Sequence, residues 1–156
     1  IFLIVLGADV LNVFLALTQL PQELAVMILD AELTPMVVLI IILIFYVIGG
    51  CVMDSLSMIL LTVPIFWPIL AEMDFGMDSE DAKIWFGIVA LIVVETGLIT
   101  PPVGMNVFVI NSMAKDIPIA QTFRGVTPFI VSDVVRVGLL VAFPSITLVL
   151  IKLLGN

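Results

Sequence analysis

The chain has 156 residues, 63% of them hydrophobic and 12% charged, and its formal net charge is −8. An apolar content so far above the roughly 45 to 50% of a soluble domain excludes a soluble globular fold, and five basic residues against thirteen acidic ones exclude a phosphate-binding nucleic-acid surface. Histidine is absent and Cys51 is the single cysteine, which removes an internal disulfide, thiolate metal clusters, Ser-His triads and most zinc sites.

Leu, Ile and Val dominate without the alternation of a barrel strand, so the expected fold is an all-α integral membrane protein. The chain opens inside an apolar run with no charged leader, which reads as a fragment without a signal peptide. Residues 1 to 18, interrupted only by Asp9 and Asn12, predict a spanning helix in which Asp9 is either an intramembrane acid or, the favoured reading, a helix-end residue. Residues 22 to 29 are amphipathic and suit the membrane interface, and Pro35 starts the next helix.

Residues 35 to 70 carry one charge, Asp54. As one straight helix they would reach about 54 Å, against a hydrocarbon thickness of about 30 Å. The segment must fold back. We expect a spanning helix over 35 to 49, then a re-entrant hairpin whose arms, 51 to 62 and 65 to 73, meet at a tip of Thr62, Val63 and Pro64. Asp54, Ser57 and Thr62 fall on roughly one face of the first arm, and Asp54 is equally suited to cap it.

The acidic stretch 71 to 83 is expected as an aqueous loop, followed by a helix over 84 to 98. That helix stops at "TPPVG" and resumes over 105 to 113. Breaking a helix inside lipid strands backbone groups that lipid cannot satisfy. Discontinuous helices in secondary transporters use such breaks to hold sodium on freed carbonyls. The carbonyls of Ile99 and Thr100, with the side chains of Thr100 and Asn106, are candidate hard-oxygen ligands. Pro101 and Pro102 cause the break, Gly97 and Gly104 permit close approach, and Glu95 is placed to face the same cavity. Phe66, Trp67, Trp85 and Phe86 suit interface anchoring or packing, and the methionines suit core filling.

A second loop, with Lys115 and Arg124, leads to a final apolar segment over 129 to 154 that contains Pro144. Asp133 and Arg136 are spaced for a same-face ion pair within it. The more basic second loop belongs in the cytoplasm and the acidic loop on the opposite side. No paired aspartates or serine with a base mark an intramembrane hydrolase. A sodium/proton antiporter with Asp54 or Glu95 as proton carrier, and a purely structural subunit, stay open on residues alone.

The run "GGCVMDSLSMILLTVPIFWPIL", then "IWFGIVALIVVETGLITPPVGMNVFVI" and "FRGVTPFIV", resembles the large membrane subunit of tripartite ATP-independent periplasmic (TRAP) transporters. The resemblance implies the second of two inverted repeats of an elevator-type transporter: scaffold-type helices with an interfacial segment (1–49), a re-entrant hairpin (50–75), a broken helix (76–114), and a loop with a final spanning helix (115–156). It implies sodium-coupled uptake of small organic acids, such as C4-dicarboxylates or acidic sugars, across a bacterial or archaeal inner membrane. It further implies a small membrane subunit and a periplasmic substrate-binding protein as partners, and no cofactor beyond the coupling sodium ions. By position it puts one sodium site between Thr62–Pro64 and Gly97–Gly104, and matches Asp54 to the start of the family's hairpin.

Overall fold

A computed structural model describes residues 2–114 and 116–154, and every regular element among them is an α-helix. In chain order these are α1 (Phe2–Thr18), α2 (Leu20–Asp30), α3 (Pro35–Gly50), α4 (Ser55–Ala71), α5 (Ser79–Gly97), α6 (Met105–Met113), α7 (Ile119–Ala142) and α8 (Ser145–Leu154). Lys115, one of the two basic residues behind the expected orientation, lies outside the described residues.

Local chemistry accounts for most boundaries. Gln19 adopts a positive φ of 54° between α1 and α2, which are bent from one another by 60°. Pro35 occupies the first turn of α3, where its missing N–H costs nothing. Asp54 caps α4. Ser79 opens α5 earlier than expected, because Glu80 and Asp81 lie in its first turn, where the helix dipole favours negative charge. The expected final segment divides at Pro144 into α7 and α8.

α3 and α4 form an antiparallel hairpin. The Tyr46 and Thr62 hydroxyls lie 2.9 Å apart, and the rings of Phe45 and Phe66 meet edge-on at 5.3 Å. α5 runs parallel to α3, with Gly50 against Gly97 and Tyr46 near Phe86, and antiparallel to α7, with Trp85 bonded to Leu140. The core lies between these four helices, around Leu39, Ile42, Tyr46, Met58, Trp85, Phe86, Val89 and Val94. Lys152 clips α8 to the start of α5 through an ion pair with Asp81 at 2.7 Å.

The hairpin corrects the expected one. Its turn is residues 51 to 54, not Thr62, Val63 and Pro64, which lie inside α4. The boundary expected at residue 50 therefore cuts through the hairpin, whose incoming arm is α3 itself. At 16 and 17 residues, the two arms are about 24 to 26 Å long, short of a bilayer core. α7, with 24 residues, is the one described helix that alone is long and apolar enough to cross; α1 and α2 pass together as a bent pair.

At Pro64 proline fails to stop α4 because a side chain from α1 replaces the missing helical bond. Pro64 deprives the Leu60 carbonyl of its helical amide, and Asn12 of α1 donates Nδ2 to that carbonyl at 3.3 Å. Likewise Pro144 deprives Leu140, whose carbonyl accepts the Trp85 indole N–H at 2.8 Å. Pro101 and Pro102 deprive Gly97 and Leu98, which accept instead from the Thr100 and Asn106 amides at 3.0 and 3.1 Å. Each of these four freed carbonyls thus gains a different donor, so Pro64, Pro144, Pro101 and Pro102 reroute hydrogen bonds without leaving those acceptors unpaired.

Candidate functional site at the hairpin turn and the helix break

The C-terminal ends of α3 and α5, the N-terminal end of α4 and the break at 98 to 104 converge at one end of the four-helix core. Two glycines permit this. A Cβ on Gly50 would lie 2.6 Å from the Val94 carbonyl oxygen, and one on Gly97 would lie 2.7 Å from that of Val47 and 2.9 Å from the Gly50 Cα. Backbone therefore touches backbone, and Cys51 is laid beside the break. Its Sγ donates to the Thr100 carbonyl at 3.3 Å and reaches the Pro101 carbonyl at 4.0 Å.

The break has a defined internal geometry. The Thr100 hydroxyl donates back to the Thr96 carbonyl at 2.6 Å, leaving the Thr100 carbonyl turned toward the hairpin. Gly104 has φ 56° and caps α6, a left-handed conformation that glycine adopts without a Cβ penalty. Pro101, Pro102, Val103 and the Asn106 side chain are exposed on the outer edge, and Ile99 is half-buried. Carbonyl oxygens of this kind are neutral hard ligands suited to a monovalent cation. Among the described residues, no three His, Cys, Asp or Glu side chains gather to hold a metal.

The other expected site residues separate into three groups. Asp54 and Ser57 lie at the turn: Asp54 accepts the Ser57 amide at 3.0 Å and the Ser57 hydroxyl at 2.6 Å, so it is the α4 cap. Thr62, Val63 and Pro64 are two turns further along α4. Thr62 is 8% exposed, and its hydroxyl is occupied by the Met58 carbonyl at 2.6 Å and by Tyr46, which makes it a brace between the hairpin arms. Glu95 is exposed with Gly87 and Leu91 on the stripe of α5 that this chain leaves uncovered, facing away from the hairpin.

Four residues at the junction lay outside the expected site: Tyr46, Gly50, Cys51 and Thr96. The glycine pair at 49 and 50 signals a flexible break, but its close-approach role depends on Gly97, distant in sequence. Thr96 donates to the Ile92 carbonyl at 2.8 Å and lies 3.4 Å from Asp133, whose other oxygen pairs with Arg136 at 2.8 Å. The expected Asp133–Arg136 pair is present, and it ties α7 to α5 one residue before Gly97.

The Asp54 geometry gives a direct prediction. Asp54→Asn keeps a capping oxygen and should leave the melting midpoint nearly unchanged, while Asp54→Ala should cost about 1 kcal/mol. Thermal unfolding of both variants checks the cap. A sodium dependence altered in Asp54→Asn alongside an intact melting midpoint would assign the charge a second role.

Against known proteins, residues 1–146 match the family model described as "Tripartite ATP-independent periplasmic transporter, DctM component". The chain is 34% identical over 151 residues to the sialic acid TRAP transporter large permease protein SiaM of Vibrio cholerae, covering 97% of this chain and 34% of that protein. It is 34% identical over 137 residues to the C4-dicarboxylate large permease DctM of Pseudomonas aeruginosa, covering 88% and 30%. It is 31% identical over 150 residues to the ectoine/5-hydroxyectoine large permease UehC of Ruegeria pomeroyi, covering 96% and 33%. The chain spans about a third of the length of these curated relatives, each named as a transporter permease and none as an enzyme. With nearly its whole length matched, the chain belongs to the DctM component family of tripartite ATP-independent periplasmic transporters.

Proposed function

We propose that this chain forms part of the transport pathway of a sodium-coupled importer of small organic acids, seated as a multi-pass protein in a prokaryotic inner membrane. The observation that carries the proposal is the meeting of the 51 to 54 turn with the 98 to 104 break, where the Thr100 and Pro101 carbonyls face the hairpin. Irregular backbone at membrane depth is tolerated only where protein or a polar cavity answers it, and paired breaks of this kind form ion and substrate sites in transporters. The α3–α4 hairpin is then re-entrant, and α5 and α6 are the two halves of one discontinuous helix.

Sodium would be held through carbonyl oxygens of the break, with Thr100 as the leading ligand, and its gradient across the membrane would drive uptake. Thr62, whose hydroxyl bonds Tyr46 and the Met58 carbonyl within the hairpin, is left out of that set. An anionic substrate would be favoured by the N-terminal ends of α4 and α6. The relatives' names point to a carboxylate-bearing solute, sialic acid and C4-dicarboxylates among them. Large apolar side chains exposed along α1 and α3, such as Leu6, Phe14, Ile40, Ile44 and Ile48, would face lipid or the remainder of a longer protein. A periplasmic binding protein and a small membrane subunit would complete the assembly, with hairpin and broken helix moving together against a scaffold and the acidic turn before α5 on the periplasmic side.

Uptake by the whole transporter in proteoliposomes tests this. Uptake should require a sodium gradient, and Thr100→Pro, which strains the backbone that presents the carbonyl, should lower sodium affinity at least about tenfold, equivalent to ~1.4 kcal/mol. Substrate-independent sodium flux would instead favour an antiporter. Sodium-independent uptake would overturn the proposal.

A further inference from the structure

Between α1, α2 and α4 lies a cavity of about 110 Å³ whose lining includes Asn12, Leu15, Pro21, Gln22, Pro64 and Pro68, and none of its lining residues carries a formal charge. Asn12 enters it from α1. Its Nδ2 donates to the Leu60 carbonyl, while its Oδ1 is buried and accepts no hydrogen bond among the described residues. The amide cannot be reversed, because the Leu60 carbonyl has lost its helical donor to Pro64, and a flip would set two oxygens face to face. Pro68 creates a second acceptor: lacking an N–H, it leaves the Pro64 carbonyl, one turn earlier on the same face, without its helical partner. Asn12, with an unanswered Oδ1, and Pro64, whose carbonyl lacks its helical amide, therefore border one small cavity.

We propose that this cavity is a hydration site, in which ordered water donates to Asn12 Oδ1 and to the Pro64 carbonyl. The volume suits a small cluster, since one water needs about 10 to 15 Å³ of such space and two or more polar partners. A cation would also seek these oxygens. With no carboxylate in the lining, its charge would be left uncompensated, a larger penalty than immobilising neutral water. The site is distinct from the turn and break, and does not depend on sodium coupling. Its consequence is mechanical: from Leu60 to Pro68, one face of α4 is held by a side chain and by exchangeable water in place of amides, which makes a joint in the outgoing arm of the hairpin.

Two measurements on the whole transporter test the site. Asn12→Leu should lower the melting midpoint by several degrees. In Pro64→Ala, which returns an amide to Leu60, the same substitution should lower it much less; equal losses in both backgrounds would show that Asn12 does not serve that carbonyl and would overturn the proposal. An electron cryo-microscopy map that resolves other internal waters should show density within hydrogen-bonding distance of Asn12 Oδ1, with or without sodium. A dry cavity, one filled by another side chain, or density that vanishes without sodium would each overturn it.

Discussion

Gly97→Ala should abolish transport while leaving membrane insertion intact. The added methyl would stand 2.7 Å from the Val47 carbonyl oxygen and 2.9 Å from the Gly50 Cα, distances that real Cβ atoms do not show. The obstacle is backbone on both sides, so no rotamer change relieves it, and α3 and α5 must separate. Overpacking of this kind costs roughly 1 to 3 kcal/mol. The functional loss should exceed what that destabilisation explains, because the separation also draws Cys51 away from the Thr100 carbonyl. Gly50→Ala should behave alike, since its methyl would meet the Val94 oxygen at 2.6 Å. Gly49→Ala supplies the contrast: the methyl there meets only the flexible end of Met58, which can swing aside. Uptake and melting midpoints of the three variants check the prediction. A fully active Gly97→Ala would separate the close contact from transport, and an inactive Gly49→Ala would show that the effect is not one of backbone spacing.

This contrast also shows how far the sequence could be read. The all-helical class and the break at 98 to 104 follow from composition and from the double proline, both of which act locally. A hairpin within 35 to 70 follows from length alone. Its turn does not. "GGCVMD" and "LTVPIFWP" both offer breaks, and only a tertiary fact decides between them: Asn12, some fifty residues earlier, serves the carbonyl that Pro64 frees, so helix continues there and the glycines take the turn. The acids before α5 mislead in another way, since Glu80 and Asp81 suit a helix N-terminus as well as they suit a loop. Asp54 could be read because a cap is set by its neighbours, here Ser57. Glu95 could not, because which stripe of α5 is covered depends on where α3 and α7 pack.

Trp85→Ala should be among the most destabilising single changes in the chain. Trp85 is 2% exposed and packs in the core beside the Phe75 ring, with centroids 5.6 Å apart. Removing so large a buried side chain costs about 3 to 5 kcal/mol through lost transfer energy and the cavity left behind. Part of that loss is polar and can be isolated. Trp85→Phe keeps most of the apolar volume but removes the N–H that reaches the Leu140 carbonyl at 2.8 Å, leaving a buried acceptor unpaired at about 1 to 3 kcal/mol. The acceptor is open to the indole only because Pro144 supplies no amide four residues on. In a Pro144→Ala background the restored amide can take the Leu140 carbonyl, so Trp85→Phe should there cost only its small volume change. Melting of the two single variants and the double variant gives the coupling directly. Equal losses with and without Pro144 would mean that the indole acts by packing alone, and the rerouting of proline-freed carbonyls would then hold at α4 and the break but not between α5 and α7.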